Sequence, residues 1–404
     1  MTGDASMAAP AAQPHARRRS GNGRPPRAVV VGAGIVGSAI ARALTVRNMD
    51  VTLVERTEPS AEATGASFAW INNQARFRNT EGIDATDAYR YFVFHRLALG
   101  AWRRLDYELH GQTGVRWSGM LAWAEPGSAE TADFHLEMER RQRWGSPTRP
   151  ITAQDVVGLV PESLPGPVGV GYFGEDEGSV DPKTAVAALL RDATSRGLRR
   201  LWPCIATDLV FQDGLAVGVE TSEGTLPCDE VVFACGVETP TLARRVGLTV
   251  PLVRSSGALI ELEPVRRFLQ PVVRSPTFHA IQRPDGRVVL SKHHDGTPIP
   301  SDGKLDPSEL LDAAAEVLPQ LKNAVVERLV VGHRVLPSDG LPIVARSSEY
   351  PNVRFVAFNA GITLAPLIAE LLTTEIASGV SVAPLEPYRV TRFVNGNGHP
   401  RPRS

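Results

Sequence analysis

The residues best suited to chemistry stand near the start of the chain, where three glycines are followed by an acid. Gly32, Gly34 and Gly37 form a GxGxxG motif directly after the apolar run 28–31, and Glu55 ends a second apolar run. Glycines at this spacing permit a tight turn, let backbone amides approach a pyrophosphate and let a helix pack closely on a strand. An acid at the end of the second apolar run can accept both hydroxyl hydrogens of a ribose. The residues predict a dinucleotide site and disfavour NADP, but they do not choose between NAD and FAD.

The elements that must position this site are encoded in the same stretch. Residues 28–31 and 51–54 have the continuous apolar pattern of buried parallel strands, and a helical pattern rich in Ala, Ile and Leu lies between them. That helix would start at the glycine turn with Ile35 and Val36 in its first turn, so its N-terminus would favour the phosphates. An ordinary Gly-rich turn of an α/β domain is the alternative, and the order of all four elements argues against it.

Size and charge narrow the class of protein. At 404 residues the chain is long for one hydrophobic core, which predicts two domains. Residues 1–27 hold five arginines against one aspartate although the net charge is −1, so the rest of the chain is acidic. That balance argues against nucleic acid and against an anionic membrane as partners. Residues 1–27 and 395–404 lack apolar periodicity and are predicted to be disordered tails.

The expected location is the cytoplasm. The arginine run 17–19 is followed by polar, turn-forming residues, so no signal peptide is predicted, and no apolar stretch of about 18 residues predicts a membrane span. Cys204, Cys228 and Cys235 are too few and too irregular for a disulfide framework or a metal site.

The α/β pattern of the first segment returns twice, separated by β-rich stretches. Asp181 followed by Pro182 predicts a helix start, a further helix is predicted over 307–317, and the last runs over 363–377. The fold class is therefore α/β, with an inserted β-rich α+β domain. The predicted nucleotide-binding domain comprises 28–85, 151–250 and 331–380, and the predicted substrate domain comprises 86–150 and 251–330.

The chain resembles the D-amino-acid oxidase superfamily of FAD-dependent oxidoreductases, which includes glycine oxidase, sarcosine oxidase and small D-amino-acid dehydrogenases. The resemblance runs from about Ala28 to Gly379 and rests on several blocks in the expected order. Each block alone is weak, whereas together they are specific for the superfamily and not for a substrate. The blocks are the glycine motif with Glu55, 65–67, 178–182, 231–236, 332–334 with 339–342, and 361–366.

The resemblance implies a Rossmann-type FAD-binding domain of the glutathione-reductase kind and an extended FAD whose isoalloxazine lies at the domain interface. The FAD should be noncovalent, since the cysteine that anchors flavin in some relatives has no counterpart near Pro337. The implied cofactor-binding residues are Gly32, Gly34, Ile35, Val36, Gly37, Glu55, Arg56, Ala66, Ser67, Ala206, Cys235, Gly236, Arg334, Gly361, Ile362, Thr363 and Leu364.

The segment that opens the last helix has a physical reason to meet the flavin. A hydride that reaches flavin N5 leaves negative charge at the pyrimidine edge, and the amides of Gly361, Ile362 and Thr363 at a helix N-terminus would face it. An ordinary amphipathic helix is the alternative, and both descriptions can hold together.

Four residues are candidates for the substrate site. The resemblance implies that Arg334 holds a substrate carboxylate, a task suited to a bidentate guanidinium, although a surface ion pair is the alternative. Trp70 would form a wall of the substrate pocket or belong to the core. His279 and Lys292 lie in the domain that should cover the flavin and could tune the pKa of the substrate, although scattered strand residues are more often structural.

The predicted reaction is transfer of a hydride from the carbon next to an amine to flavin N5, giving an imine that hydrolyses. The substrate would be a small amino acid or secondary amine, and the electron acceptor would be O2 or another oxidant. Sarcosine oxidases present a lysine that promotes the oxygen reaction, whereas the matching strand ends at Ser291 with Lys292 beyond it, which leaves a dehydrogenase open. The alternatives are C–O or C–C oxidation of a specialised metabolite, and a flavin-binding protein without turnover.

Overall fold

A computed structural model gives the fold and describes residues 23–75, 85–292 and 306–393. Two large sheets dominate these ranges, one with six strands and one with eight. We call the unit around the six-stranded sheet the first lobe and the unit around the eight-stranded sheet the second lobe. The helices are α1 (Ile35–Val46), α2 (Ala85–Glu108), α3 (Thr131–Arg143), α4 (Ala153–Leu159), α5 (Pro182–Ser195), α6 (Thr239–Ala243), α7 (Pro307–Val317) and α8 (Gly361–Ser378).

The strands are mostly short and are distributed along the whole described chain. They are β1 (Arg27–Val31), β2 (Asp50–Val54), β3 (Trp70–Ile71), β4 (Met120–Ala124), β5 (Thr148–Pro150), β6 (Val170–Gly174), β7 (Gly178–Ser179), β8 (Arg199–Leu201), β9 (Ala206–Gln212), β10 (Leu215–Thr221), β11 (Gly224–Pro227), β12 (Glu230–Phe233), β13 (Leu252–Val253), β14 (Ser256–Leu262), β15 (Val272–Arg274), β16 (His279–Gln282), β17 (Val288–Ser291), β18 (Val326–His333), β19 (Leu336–Pro337), β20 (Ile343–Arg346) and β21 (Val353–Ala357).

The six-stranded sheet of the first lobe has the order β20-β21-β12-β1-β2-β8. β1 lies at its centre and pairs in parallel with β12 and β2. Strand residues alternate between two apolar clusters, one shared with α1, α2, α5 and α8 and the other with the three-stranded sheet β9–β11. Because both faces are covered, the strands need the continuous apolar runs seen in the sequence.

Local capping explains where the predicted helices begin. The side chain of Asp181 accepts a hydrogen bond from the amide of Thr184 at 2.8 Å, and Pro182 occupies the first helical position of α5. Asp306 and Pro307 repeat this arrangement at α7, which spans the range predicted from the sequence. An acid cap followed by proline satisfies a free amide and presets the helical backbone.

The eight-stranded sheet of the second lobe has the order β18-β14-β17-β16-β15-β4-β6-β5. One face packs against α4 and α7 in an apolar cluster of its own. The other face packs against α3 and against Phe68 and Trp70 of the first lobe. This second face is therefore the one that meets the first lobe.

Three predicted boundaries differ from the observed packing. Helix α2 falls in the predicted substrate domain, yet Phe94, Leu99 and Trp102 pack in the helical cluster of the first lobe. Strand β6 falls in the predicted nucleotide-binding piece 151–250, yet it pairs with β4 and β5 in the second lobe. The apolar periodicity of an element shows which side is buried but not which lobe buries it. The predicted tail 1–27 extends too far, since the chain from position 23 is described and β1 begins at Arg27.

Helix α8 lies in the centre of the first lobe and packs against α1 and α2. Among the described residues it is the one helix that is long and apolar enough, by length and composition alone, to cross a membrane. This corrects the expectation that no apolar stretch reaches that length. Within the fold 61% of the segment is buried, and Leu364, Ile368 and Leu372 are almost fully enclosed, so core packing accounts for its composition.

An ionic cluster is buried in the second lobe. It consists of Glu137, Arg141, Glu177 and Arg274, none of them more than 4% exposed. Glu137 contacts Arg141 at 3.3 Å and Arg274 at 3.0 Å, and Arg141 also donates to Glu177 at 2.9 Å. Burial alone would raise the pKa of Glu137, but the guanidinium groups of Arg274 and Arg141 outweigh burial and lower the pKa to about 2.

Replacing Glu137 with Gln should lower the free energy of unfolding at neutral pH by about 3 to 5 kcal/mol, because the buried guanidinium of Arg274 loses its counter-charge and Arg141 keeps only Glu177. The folded pKa of Glu137 lies below its ordinary 4.5, so its stabilisation is complete above that pH and is lost as the pH falls towards 2. The difference between the variant and the parent should therefore shrink in acid. Denaturant unfolding followed by circular dichroism measures both effects.

Glu139→Gln is the matched control, since Glu139 lies on the exposed side of the same helix. Equal unfolding free energies for the Glu137 and Glu139 variants at neutral pH would contradict the role given to the cluster.

Candidate active site

Contacts that exclude side chains shape the glycine turn between β1 and α1. Gly32 has a φ of +102°, and a Cβ on it would lie 2.4 Å from the carbonyl oxygen of Ala234. A Cβ on Gly37 would lie 1.8 Å from the carbonyl oxygen of Gly32. The spacing of these two glycines therefore serves a tight turn and direct packing of α1 on the end of β1.

The N-terminus of α1 also meets a threonine that was not predicted from the sequence. A Cβ on Gly34 would lie 2.9 Å from Oγ1 of Thr64, and this hydroxyl accepts a hydrogen bond from the amide of Ile35 at 3.1 Å. Gly34 has no side chain to cap the helix, so Thr64 satisfies one of the free amides from the next loop. The available signal was a hydroxyl residue directly before the 65–67 block.

Glu55 lies at the end of β2 with its carboxylate against the glycine turn. Oε2 accepts the amide of Ala33 at 2.9 Å, and Oε1 accepts the amide of Thr57 at 3.0 Å. Cys235 lies close by at the end of β12, where burial and the negative charge of Glu55 raise the pKa of its thiol to about 12. Glu55 is thus held in place beside the turn, and Cys235 is a packed thiol and not a nucleophile at neutral pH.

Arg56 bridges two loops at the rim of this region. Its guanidinium forms ion pairs with Glu62 at 2.8 Å and with Glu238 at 3.9 Å. Glu238 follows Gly236, whose φ of +56° turns the chain after β12. Contact between Arg56 and a cofactor therefore competes with these two acids.

An open groove of about 620 Å³ lies beside the loop that follows β2. Residues 57–59 form one side and 202–203 the other, and Ala206 begins β9 just beyond. The amide of Cys204 donates to the carbonyl oxygen of Glu55 at 2.8 Å, which ties this wall to the end of β2. A groove of this size next to Glu55 can hold the nucleoside end of a dinucleotide.

Helix α8 begins next to the first turn of α1. A Cβ on Gly361 would lie 3.8 Å from Cγ2 of Val36. Trp102 of α2 donates its indole hydrogen to the carbonyl oxygens of Ile362 and Thr363, at 2.9 and 3.1 Å, which fixes the first turn of α8. No side chain caps α8, and its N-terminus lies beside that of α1 at the glycine turn.

Other groups in the first turn of α8 already have partners. The amide of Leu364 donates to the carbonyl oxygen of Ala360 and its side chain is buried, so Leu364 is a packing residue. The hydroxyl of Thr363 donates to the carbonyl oxygen of Trp70 at 3.1 Å and accepts the amide of Asn72 at 3.3 Å. Thr363 therefore ties β3 to α8 through its side chain and leaves its backbone amide for a cofactor.

The loop with Ala66 and Ser67 contacts the second lobe. A Cβ on Gly332 of β18 would lie 2.6 Å from Cβ of Ala66, so the strand and the loop are in direct contact. The hydroxyl of Ser67 accepts the amide of Ala69 at 3.0 Å and supports a turn in which Ala69 has a φ of +62°. This turn leads the chain into Trp70.

A row of side chains crosses the face of the second lobe that meets the first. Leu259 is opposite Ser291, Ser291 is opposite His279, and His279 is opposite Arg274. Cross-strand partners share a face, and Leu259 belongs to the cluster that contains Trp70. The rings of Trp70 and His279 meet edge to face with centroids 5.7 Å apart. The indole nitrogen of Trp70 is buried and has no partner in the described residues.

Arg334 follows β18 and lies at the end of this face. Its guanidinium lies over Gly257, and Nη1 donates to the carbonyl oxygen of Ser256 at 3.3 Å. Partial burial lowers the pKa of Arg334. Within the described ranges no carboxylate forms an ion pair with it, unlike the surface ion pair that was the alternative.

Lys292 does not join this group. It follows the last residue of β17 and is exposed. Val289 and Ser291 lie on the face turned to the first lobe, so strand alternation directs position 292 to the opposite side. Ser291, not predicted as a site residue, occupies the inward position at the end of this strand.

The geometry fits an extended dinucleotide. Its path would run from the groove beside Glu55, past the glycine turn, to the uncapped N-terminus of α8. At the far end of this path, Trp70 of the first lobe lies beside the face of the second lobe that carries His279 and Arg334. Such an arrangement is suited to a two-lobed dinucleotide-binding protein with a candidate substrate site between the lobes.

The family is settled by comparison of the whole chain. The model of the DAO family, described as FAD dependent oxidoreductase, matches residues 27–375, so the chain belongs to this family. Membership confirms the resemblance seen in the sequence, the fold class and FAD as the cofactor. It also confirms the enzyme class, flavin oxidoreductases that act on C–N bonds of amino acids and amines.

Individual relatives agree with the family assignment. Glycine oxidase of Pseudomonas putida KT2440 is 26% identical over 377 residues, which cover 89% of this chain and 97% of that protein. An opine oxidase component of Rhizobium meliloti is 32% identical over 387 residues, which cover 90% of this chain and 96% of that protein. The crystal structure of glycine oxidase from Geobacillus kaustophilus has a TM-score of 0.77 at 21% identity, covers 91% of this chain and 99% of its own, and shows the fold.

Glu55→Gln should weaken FAD binding by about 10- to 100-fold, because hydrogen bonds to a charged acceptor contribute about 1.5 to 3 kcal/mol. Titration of the FAD-depleted protein with FAD, followed by quenching of flavin fluorescence, measures the affinity. Asp50→Asn at the exposed start of the same strand is the control. Equal affinities of the Glu55 variant and the parent would remove Glu55 from the cofactor site.

Proposed function

We propose that the protein oxidises the C–N bond of a small amino acid or secondary amine whose carboxylate is held by Arg334. The observation that carries this proposal is a half-buried guanidinium without an acidic partner in the described residues, on the lobe face that meets the cofactor domain. A substrate carboxylate would provide the missing negative charge through two parallel hydrogen bonds. Relatives named glycine oxidase support an amino-acid substrate.

The division of labour among the residues follows from their positions. The glycine turn and the N-terminus of α1 would hold the pyrophosphate of FAD, and Glu55 would hold a ribose. The first amides of α8 would stabilise negative charge at the pyrimidine edge of the ring. FAD, when bound, supplies the hydride acceptor for the carbon next to the amine, and the product imine hydrolyses in water.

Substrate positioning would come from the facing surfaces of both lobes. Arg334 would fix the carboxylate, and Trp70 would form a wall whose buried indole hydrogen has no partner among the described residues. His279 and Ser291 would line the floor at the far end of the cross-strand row. Correct positioning of a bound amine supplies much of the rate, so the proposal assigns no general acid or base.

We also propose that FAD is held noncovalently and that the protein works in the reducing cytoplasm. Cys204 and Cys228 are buried, Cys235 has a raised thiol pKa, and none of the three forms a disulfide. Acid precipitation should release all yellow colour into the supernatant, and cell fractionation should recover the protein with soluble markers.

Anaerobic flavin reduction tests the proposed function. Glycine, sarcosine, D- and L-amino acids and proline-like amines are mixed with the holoenzyme, and at least one should bleach the flavin absorption. Admission of air then separates an oxidase, which regains colour quickly, from a dehydrogenase that uses another acceptor. Failure of every amine would support the alternatives of C–O or C–C oxidation or of flavin binding without turnover.

Arg334→Ala should weaken the binding of the amine that reduces the flavin by about 1.5 to 3 kcal/mol, because a charged hydrogen-bonding partner is lost. The substrate dependence of the reduction rate measures this affinity. Arg266→Ala, an exposed arginine of the same lobe, is the control. Equal affinities of the Arg334 variant and the parent would remove Arg334 from the substrate site.

A further inference from the structure

Two glycines lie opposite each other on the face of the second lobe that meets the first. Gly257 of β14 pairs with Gly332 of β18, two residues before the Leu259 and Val330 pair of the same face. Neither glycine has a positive φ, so the backbone does not require glycine at either position. Their role must therefore come from the space that a missing side chain leaves.

The two spaces are filled by different groups. A Cβ on Gly332 would lie 2.6 Å from Cβ of Ala66 in the cofactor-domain loop. A Cβ on Gly257 would lie 2.7 Å from Nη2, 3.0 Å from Cζ and 3.2 Å from Nε of Arg334. The guanidinium of Arg334 thus occupies the space that a side chain at Gly257 would fill.

Few other contacts fix the position of this guanidinium. Its one hydrogen bond in the described residues goes to the carbonyl oxygen of Ser256 at 3.3 Å, and no carboxylate pairs with it there. Elsewhere in this lobe the buried arginines, Arg141, Arg274 and Arg283, are each held by a glutamate. The shape of the strand surface, and not a charged partner, therefore determines where the donors of Arg334 point.

We propose that Gly257 is a specificity-determining positioning residue, whose missing side chain seats the guanidinium of Arg334 so that it selects substrates with a free carboxylate. This inference rests on the proposed function of Arg334. Contacts between nonbonded heavy atoms are optimal at about 3.5 to 4.0 Å, so a methyl group at position 257 lifts the guanidinium by about 1 Å. Bidentate recognition depends on position, and a displacement of about 1 Å can cost up to about 100-fold.

The same contact makes the test practicable. The atoms that a Cβ at position 257 would meet belong to the end of a flexible side chain, which can move aside. Alanine at this position is therefore compatible with the fold and with FAD binding. By contrast, a Cβ at Gly37 would meet a backbone oxygen that cannot move.

The test is the binding of acetate to the holoenzymes of the parent and of Gly257→Ala, followed by the perturbation of the flavin absorption spectrum. The dissociation constant of acetate should rise by about tenfold or more, whereas that of acetamide, which has no charge, should stay within about twofold. With the amine that reduces the flavin, KM should rise and the limiting reduction rate should change little. An unchanged affinity for acetate, or an equal loss for acetate and acetamide, would overturn the inference.

Two further variants test whether the loss of acetate affinity arises from displacement of the Arg334 guanidinium. Gly158→Ala in α4 is the matched control, because a Cβ there meets nothing within 4 Å, and it should bind acetate as the parent does. In an Arg334→Ala background, Gly257→Ala should have no further effect, since the group that it displaces is gone. A full additional loss in that background would show that Gly257 acts by another route and overturn the inference.

The same variants distinguish a wrong carboxylate site from a wrong role for Gly257. If Arg334→Ala leaves acetate binding unchanged, the proposed carboxylate site itself is wrong, and Gly257 has no role in substrate selection. If Arg334→Ala weakens acetate and Gly257→Ala does not, the carboxylate site stands and only the role of Gly257 is rejected.

Discussion

The close approach of two helix N-termini is the constraint on which the rest of the structure depends. Gly37 lets α1 pack directly on the end of β1, and Gly361 lets α8 begin against Val36 in the first turn of α1. A side chain at Gly37 would separate α1 from the end of β1, because its Cβ would lie 1.8 Å from the carbonyl oxygen of Gly32, whereas the start of α8 already lies at van der Waals distance from Val36. Each N-terminus alone is a weak anion site, whereas two beside one glycine turn can serve a pyrophosphate and a negatively charged ring edge together.

That convergence also positions the candidate substrate site, because β3 is tied to the start of α8. The hydroxyl of Thr363 joins the carbonyl oxygen of Trp70 to the amide of Asn72. Trp70 then contacts His279 of the second lobe, and Ala66 contacts Gly332. The cofactor edge, the aromatic wall and the strand before Arg334 are thus connected through short contacts and not through long, mobile segments.

The sequence predicted the parts of this arrangement that local chemistry encodes. The glycine spacing, Glu55 after an apolar run and the Asp181 cap each report a geometry formed within a few residues of themselves. The lobes in which α2 and β6 pack were predicted incorrectly, because an apolar stripe shows which side of an element is buried but not which element covers it. Thr64, Gly257 and Ser291 were missed for a related reason, since their roles arise from contacts with distant segments. Arg334 was found only through resemblance to a family, and nothing in its immediate sequence distinguishes it from a surface arginine.

Comparison of the arginines within the second lobe distinguishes Arg334, the proposed binding residue, from two structural arginines. Arg141 and Arg274 are almost fully buried, and glutamates neutralise both of them. Arg334 is only partly buried and has no acid beside it among the described residues. Its guanidinium occupies the space left by the missing side chain of Gly257. A protein that needed this charge for stability would supply a counter-ion, because an unpaired charge out of water is costly. The described part of the chain contains no such counter-ion, which is consistent with a substrate carboxylate in that role. The ion pair would then form only on binding, and its free energy would contribute to substrate affinity and not to folding.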